Sequence, residues 1–123
     1  SLVDAFHATL EAATDADVLL HVVDSASHAR DEQIYEVNKV LEEIGARQLR
    51  QVLIWNKIDL TDASPGVERD EYANIARVRV SARTGEGMDL LRESLAEYAR
   101  AKAESRQLAI AEAERNAHRD TIN

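Results

Sequence analysis

The sequence predicts an α/β domain built as a three-layer parallel sheet with helices on both faces. Two observations carry this. Apolar runs of strand length alternate with stretches of helical period along the chain, without an internal repeat or a low-complexity linker. The first of those runs is continuously apolar, as in strands buried on both faces of a parallel sheet. Strand, helix, strand, helix, strand, helix then implies right-handed crossovers.

Each element follows from local chemistry. Ser1 and Asp4 have capping-box spacing, and Val3, Phe6, Leu10 and Ala13 recur at helical intervals, which predicts a helix over 2–13. "DVLLHVVD", 17–24, predicts a strand buried on both faces and ending at Asp24. Ile34, Val37, Val40, Leu41 and Ile44 share one helical face, and Gly45 is placed to stop that helix as a left-handed cap. "QVLIW" at 51–55 is a second strand, and "ASPG" at 63–66 marks a turn. "RVRVSA", 77–82, alternates charged and apolar side chains, so this third strand is expected near a sheet edge. Met88, Leu91, Leu95 and Tyr98 begin a last helix whose pattern weakens beyond residue 100. The expected organisation is a body over 1–100 and a helical tail over 101–123.

Composition narrows the function classes. At 123 residues, 45% hydrophobic and 31% charged, the chain suits a single globular domain. No apolar stretch approaches the roughly 20 residues of a membrane span, and no signal-peptide layout opens the chain, so a cytoplasmic protein without a membrane partner is expected. Zero cysteines exclude disulfides, thiolate metal sites and cysteine nucleophiles. A net charge of −8 opposes nonspecific adhesion to nucleic acid or anionic lipid. Because the chain begins at Ser1 rather than Met, a processed product or a piece of a longer protein is expected.

The chemistry concentrates at Asn56, Lys57 and Asp59, directly after the second strand. In parallel α/β sheets ligands bind beyond the carboxyl ends of the strands, and Ser81 and Ala82 close the third strand on that same edge. A carboxylate offers two acceptors side by side, which match N1–H and the exocyclic amino group of guanine; adenine presents an unprotonated N1 and is rejected. Asp59 fits that role. Asn56 can bond the base edge while tying loops together, and the stem of Lys57 can lie along the base face with its ammonium in water. Backbone N–H groups around Ser81 and Ala82 are placed to meet the guanine carbonyl oxygen. Asn and Asp are also ordinary turn residues, so it is position at a strand end, with Ser-Ala ending the next strand, that favours base recognition.

These residues resemble a known family. NKID at 56–59 is similar to the NKxD guanine-specificity motif of translation-factor-type P-loop GTPases, and "SARTGEGMDLL" at 81–91 to their SA loop. "SLVDAFHATLEAATDADVLLHVVDSA" and "VNKVLEEIGA" resemble the bacterial HflX subfamily of ribosome-associated GTPases, over about residues 1–98. The resemblance implies a P-loop GTPase fold, GTP or GDP as ligand, and the ribosome, through its large subunit, as partner. It also implies base contacts from Asn56 and Asp59, cover of the base face by Lys57, and a backbone contact from Ser81 and Ala82.

The departure is as informative. The glycines are Gly45, Gly66, Gly85 and Gly87, and no GxxxxGK[ST] loop is present to cradle phosphates. The P-loop, switch I and DxxG are expected before residue 1, together with the Mg2+ they hold in a parent protein. The sequence therefore reads as the carboxyl-terminal, base-recognition half of a G domain, not expected to hydrolyse GTP alone and with weak or absent nucleotide binding.

The remaining residues carry less. His7, His21, His28 and His118 lack zinc spacing, and His21 reads as a packed, hydrogen-bonded strand residue. Asp24 lacks the acidic pair and lysine of a receiver domain and reads as a turn or capping group. Asp15, Asp17, Asp31 and Glu32 lack EF-hand spacing and read as solvated surface. The tail is neutral and reads as a projecting helix or as an arm contacting another chain through Leu108, Ile110 and Ala111. The second functional class is a non-catalytic module that self-associates or binds a partner. In the GTPase topology the strand at 18–23 loses one neighbour here, which would leave Val18, Leu19, Leu20, Val22 and Val23 at an open edge and Val3, Phe6 and Leu10 as a patch. A homo-oligomer is the expected result.

Overall fold

The computed structural model describes residues 4, 5, 8, 17–46 and 48–122. Residues 4, 5 and 8 are helical, and the rest of the helix expected over 2–13, with its apolar patch, lies outside the described residues. The chain divides into two units, 1–90 and 91–123.

In the first unit the order is β1 (Leu19–Asp24), α1 (Arg30–Glu43), β2 (Gln51–Asn56), a 3-10 turn (Ile58–Leu60), β3 (Gly66–Arg69) and β4 (Ile75–Arg79). The four strands form one sheet in the order β1-β2-β4-β3. β1 pairs parallel with β2, from Leu19 opposite Gln51 to Asp24 opposite Asn56, and β2 pairs parallel with β4. β3 pairs antiparallel with β4, which corrects the expectation of a wholly parallel sheet. "GVER" is short and directly follows a turn signal, so its strand character comes from pairing with β4 rather than from its own pattern. The connecting turn is held by Asp70, whose Oδ1 accepts the N–H groups of Tyr72 (2.8 Å) and Asn74 (3.0 Å).

That hairpin also moves β4 away from the edge where its alternating charges had placed it. Arg77 and Arg79 face a partner instead of solvent. Arg77 donates from Nε and Nη2 to Glu68 at 2.8 Å each, and Arg79 Nη1 donates to the same carboxylate at 2.7 Å. On the same face Trp55 lies between the guanidinium groups of Arg30 (4.4 Å) and Arg77 (4.3 Å), a cation–π arrangement. Alternation here records one polar, ion-paired face of an interior strand.

β1 lies at a sheet edge, as expected for the strand at 18–23, but it is not buried on both faces. Leu19 packs against the α1 cluster and Val23 is buried, but on the other face Leu20 and Val22 are exposed. β1 is an edge strand, and among the described residues a strand lies on only one side of it. Their register partners Val52 and Ile54 are buried, as is Val78 beyond them.

The expected apolar face of α1 is realised. Val37, Val40, Leu41 and Ala46 form a core cluster with Leu19, Ile44 and Leu49 against it. The helix ends in a Schellman motif: Gly45, at φ +75, donates to Glu42 O (3.2 Å), and Ala46 N–H reaches Leu41 O (2.8 Å). The last element, α2 (Met88–Ile122), runs as one 35-residue helix, with residues 101–119 exposed.

Candidate functional site

Parallel pairing sets the carboxyl ends of β1, β2 and β4 on one edge of the sheet, and the chemistry-bearing loops leave from there. Trp55 O accepts Val80 N–H (2.9 Å) and Val80 O accepts Ile58 N–H (3.3 Å), so pairing of the two segments continues past the strand ends. The loop after β2 is thereby stitched to the loop after β4 by backbone alone.

Between those bonds the chain kinks. Lys57 adopts the left-handed conformation, φ 68 and ψ 33, which a β-carbon disfavours by about 1–2 kcal/mol. Ile58, 2% exposed, anchors the following turn in the core. Burial of Ile58 between polar, more exposed neighbours fixes which way the motif faces. Thr61 closes the turn, its N–H (2.9 Å) and Oγ1 (3.0 Å) both donating to Ile58 O.

The side chains expected to act together are brought together. Asn56 Oδ1 accepts Ala82 N–H at 3.0 Å, and Ser81 Oγ donates to Asp59 Oδ1 at 2.8 Å. Ser81 is fully buried, and its hydroxyl oxygen also accepts Thr84 N–H at 3.1 Å. A hydroxyl fixed from both sides orients the Asp59 carboxylate through one oxygen, and acceptor capacity remains on both oxygens. The backbone N–H of Ser81 is committed to Glu86 O at 2.8 Å, as that of Ala82 is to Asn56 Oδ1.

The tight loop that makes this possible depends on Gly87. Its φ is +79, and a β-carbon there would lie 2.4 Å from Arg79 O and 3.1 Å from Val80 Cα. Only a glycine allows the start of α2 to approach the end of β4 so closely.

Sequence reasoning missed part of the site. Asp24 is more than a turn group: its Oδ2 accepts the Lys57 ammonium at 3.0 Å and its Oδ1 accepts Ala26 N–H at 3.0 Å. The lysine tip therefore rests on a carboxylate instead of free in water, with the two side chains half-buried. The bond from Lys57 foremost, with that from Ala26, holds the Asp24 carboxyl below its usual range against an opposing push from desolvation. Ser25 contributes too: its N–H (3.0 Å) and its hydroxyl both donate to Asn56 O. The only sequence signal for this group was position, since Asp24 and Asn56 each end an apolar run. His21 lies elsewhere, with Nδ1 3.0 Å from Gln51 Nε2, and burial lowers its pKa.

Known proteins share this stretch. The chain is 46% identical over 97 residues to the GTPase HflX of Escherichia coli K12, covering 78% of this chain and 23% of that protein. It is 42% identical over 90 residues to the GTPase HflX of Lacrimispora saccharolytica, covering 73% of this chain and 21% of the relative. A tRNA modification GTPase MnmE from Azoarcus sp. is 41% identical over 80 residues, 65% of this chain and 16% of its own length. The chain thus spans about a fifth of the length of the HflX relatives it matches. No protein-family model matches it.

Proposed function

An HflX-type GTPase sequence, covering only part of such a protein, is the premise from which we infer that this chain is the guanine-base-recognition half of a G domain. Residues 1–100 supply the carboxyl-terminal half of its three-layer fold, and residues 101–123 a helical tail. The observation that carries the reading is the double lock between the loops: Ala82 N–H on Asn56 Oδ1, and Ser81 Oγ on Asp59 Oδ1. Preorganised donors and acceptors make a base pocket selective, because little ordering remains to be done when the ligand arrives.

In this reading Asp59 accepts N1–H and the exocyclic amino group of guanine, and Asn56 bonds the base edge while holding Ala82. Lys57 covers the base face. The guanine carbonyl oxygen shares the Ala82 N–H with Asn56 Oδ1. The parent protein is a cytoplasmic GTP hydrolase that acts on the ribosome, through the large subunit, and its P-loop and Mg2+ belong to other parts of that protein. The present chain, which has no GxxxxGK[ST] loop for the β and γ phosphates, does not hydrolyse GTP by itself.

The test uses the whole protein. Asp59→Asn is expected to weaken GDP by more than about tenfold and to favour xanthosine diphosphate, because the new amide presents a donor where xanthine presents a carbonyl. Competition binding that shows unchanged guanine selectivity removes Asp59 from this role.

A second reading is favoured by one observation, the outer edge of β1, unpaired among the described residues, with Leu20 and Val22 exposed beside it. Unpaired strand edges accept further strands, so the chain on its own is also a candidate for self-association, as a two-fold dimer joined along β1.

A further inference from the structure

We propose that Asp24 is a positioning residue for base recognition, one that holds Lys57 from across the β1–β2 pair and so directs the lysine stem over the guanine face. The inference deepens the base-recognition reading and rests on it. Register is the first support. Asp24 is paired with Asn56, so the end of β1 lies beside the first residue of the motif. The second is the contact itself, 3.0 Å between Lys57 Nζ and Asp24 Oδ2, joining residues 33 apart in sequence.

The third support is that Asp24 is itself fixed. Its other oxygen accepts Ala26 N–H at 3.0 Å, and Ser27 N–H donates to its backbone carbonyl at 3.2 Å. Next to it Ser25 N–H bonds Asn56 O at 3.0 Å, and Arg30 Nη1, whose guanidinium lies over Trp55, donates to Ser25 O at 3.0 Å. The segment 24–30 thus grips the motif at a backbone atom of Asn56 and at the side-chain tip of Lys57.

A pair this exposed contributes little to folding, because water solvates both partners well. Its consequence lies in geometry. A lysine stem tethered at its tip has fewer rotamers to lose when a base stacks on it, and Lys57 already holds a left-handed backbone that aims the stem. Asp24 thereby acts on guanine affinity without touching the base.

The experiment uses the 15N-labelled 123-residue chain, with GMP and AMP as probes at millimolar concentration and NMR as readout. Without ligand, Asp24→Asn is expected to speed amide exchange at Ile58 and Ala82 relative to the unaltered chain. With ligand, it is expected to weaken GMP roughly three- to tenfold. In a Lys57→Met background the same change is expected to add almost nothing, because the group it positions is gone. Asp24→Glu keeps the charge and is expected to restore part of the affinity; it also tests the contact should Asp24→Asn not fold. Unchanged exchange in Asp24→Asn overturns the proposal, and so does an equal loss of GMP affinity in both backgrounds, which marks a merely structural role. Equal and detectable binding of GMP and AMP by the unaltered chain sinks the base-recognition reading instead, while the exchange comparison still decides whether Asp24 holds the loop.

Discussion

Glu68 shows how one side chain can settle the character of a strand. It takes hydrogen bonds from Arg77 and Arg79, and through Arg77 it is linked to the face of Trp55. The bond from Arg77, outweighing an opposing push from burial and joined by that from Arg79, holds the Glu68 carboxyl below the usual glutamate value near 4.5. A depressed folded-state pKa means that the stabilisation is fully present above the unfolded value and is lost as pH falls through the folded one. Glu68→Gln is therefore expected to cost about 1 kcal/mol near neutral pH, a modest figure because solvent screens these half-exposed groups. The difference from the unaltered chain should shrink as pH falls below the unfolded glutamate value and through the lower folded one. Urea unfolding across the acid range checks it, and a pH-independent difference refutes the assignment.

At the scale of elements, two glycines with similar dihedral angles separate backbone conformation from crowding. Gly45 ends α1 at φ +75, and a β-carbon there would meet nothing within 4 Å, whereas Gly87 at φ +79 sits against Arg79 O and Val80. Gly45→Ala is expected to cost about 1 kcal/mol, the penalty of a left-handed alanine. Gly87→Ala adds a backbone clash and should cost at least about 2 kcal/mol more, since β4 and the start of α2 must part. Denaturant midpoints at constant m value measure both. Equal costs would show that the close approach at Gly87 relaxes freely. The Schellman stop at Gly45 was legible in the sequence because helix caps are local, whereas the need for Gly87 depends on a strand that approaches only after folding.

On the scale of the whole molecule, the described residues leave two edge strands, β1 and β3, and β1 carries the exposed aliphatic side chains. β1 pairs with β2 on one side, and among the described residues no strand pairs with its other side. Val22, 63% exposed, and Leu20 stand on one face beside that edge. The self-associated state proposed above is expected to appear in sedimentation as a mass that rises with concentration toward twice that of the chain. Val22→Lys should return it to the monomer, because a charge on an edge strand opposes pairing. A monomer mass at every concentration removes this reading and leaves the base-recognition reading untouched, since the edge of β1 and the loop of residues 56–59 are different surfaces.

By itself the sequence determined what is local. The hydrophobic period of α1, its glycine stop, the apolar runs of β1 and β2, and the placement of Asn56, Lys57 and Asp59 just beyond a strand all follow from neighbours within a few residues. Tertiary structure decided what depends on distant partners. Ser81 meets Asp59 across 22 residues, Ala82 meets Asn56 across 26, and Lys57 meets Asp24 across 33. The same holds for β3, whose four residues become a strand only by pairing with β4 and so turn an expected edge into an interior position. Periodicity encodes which face of an element is apolar; it carries no record of which element lies beside it, and that choice is made by the pairing and packing of the folded chain.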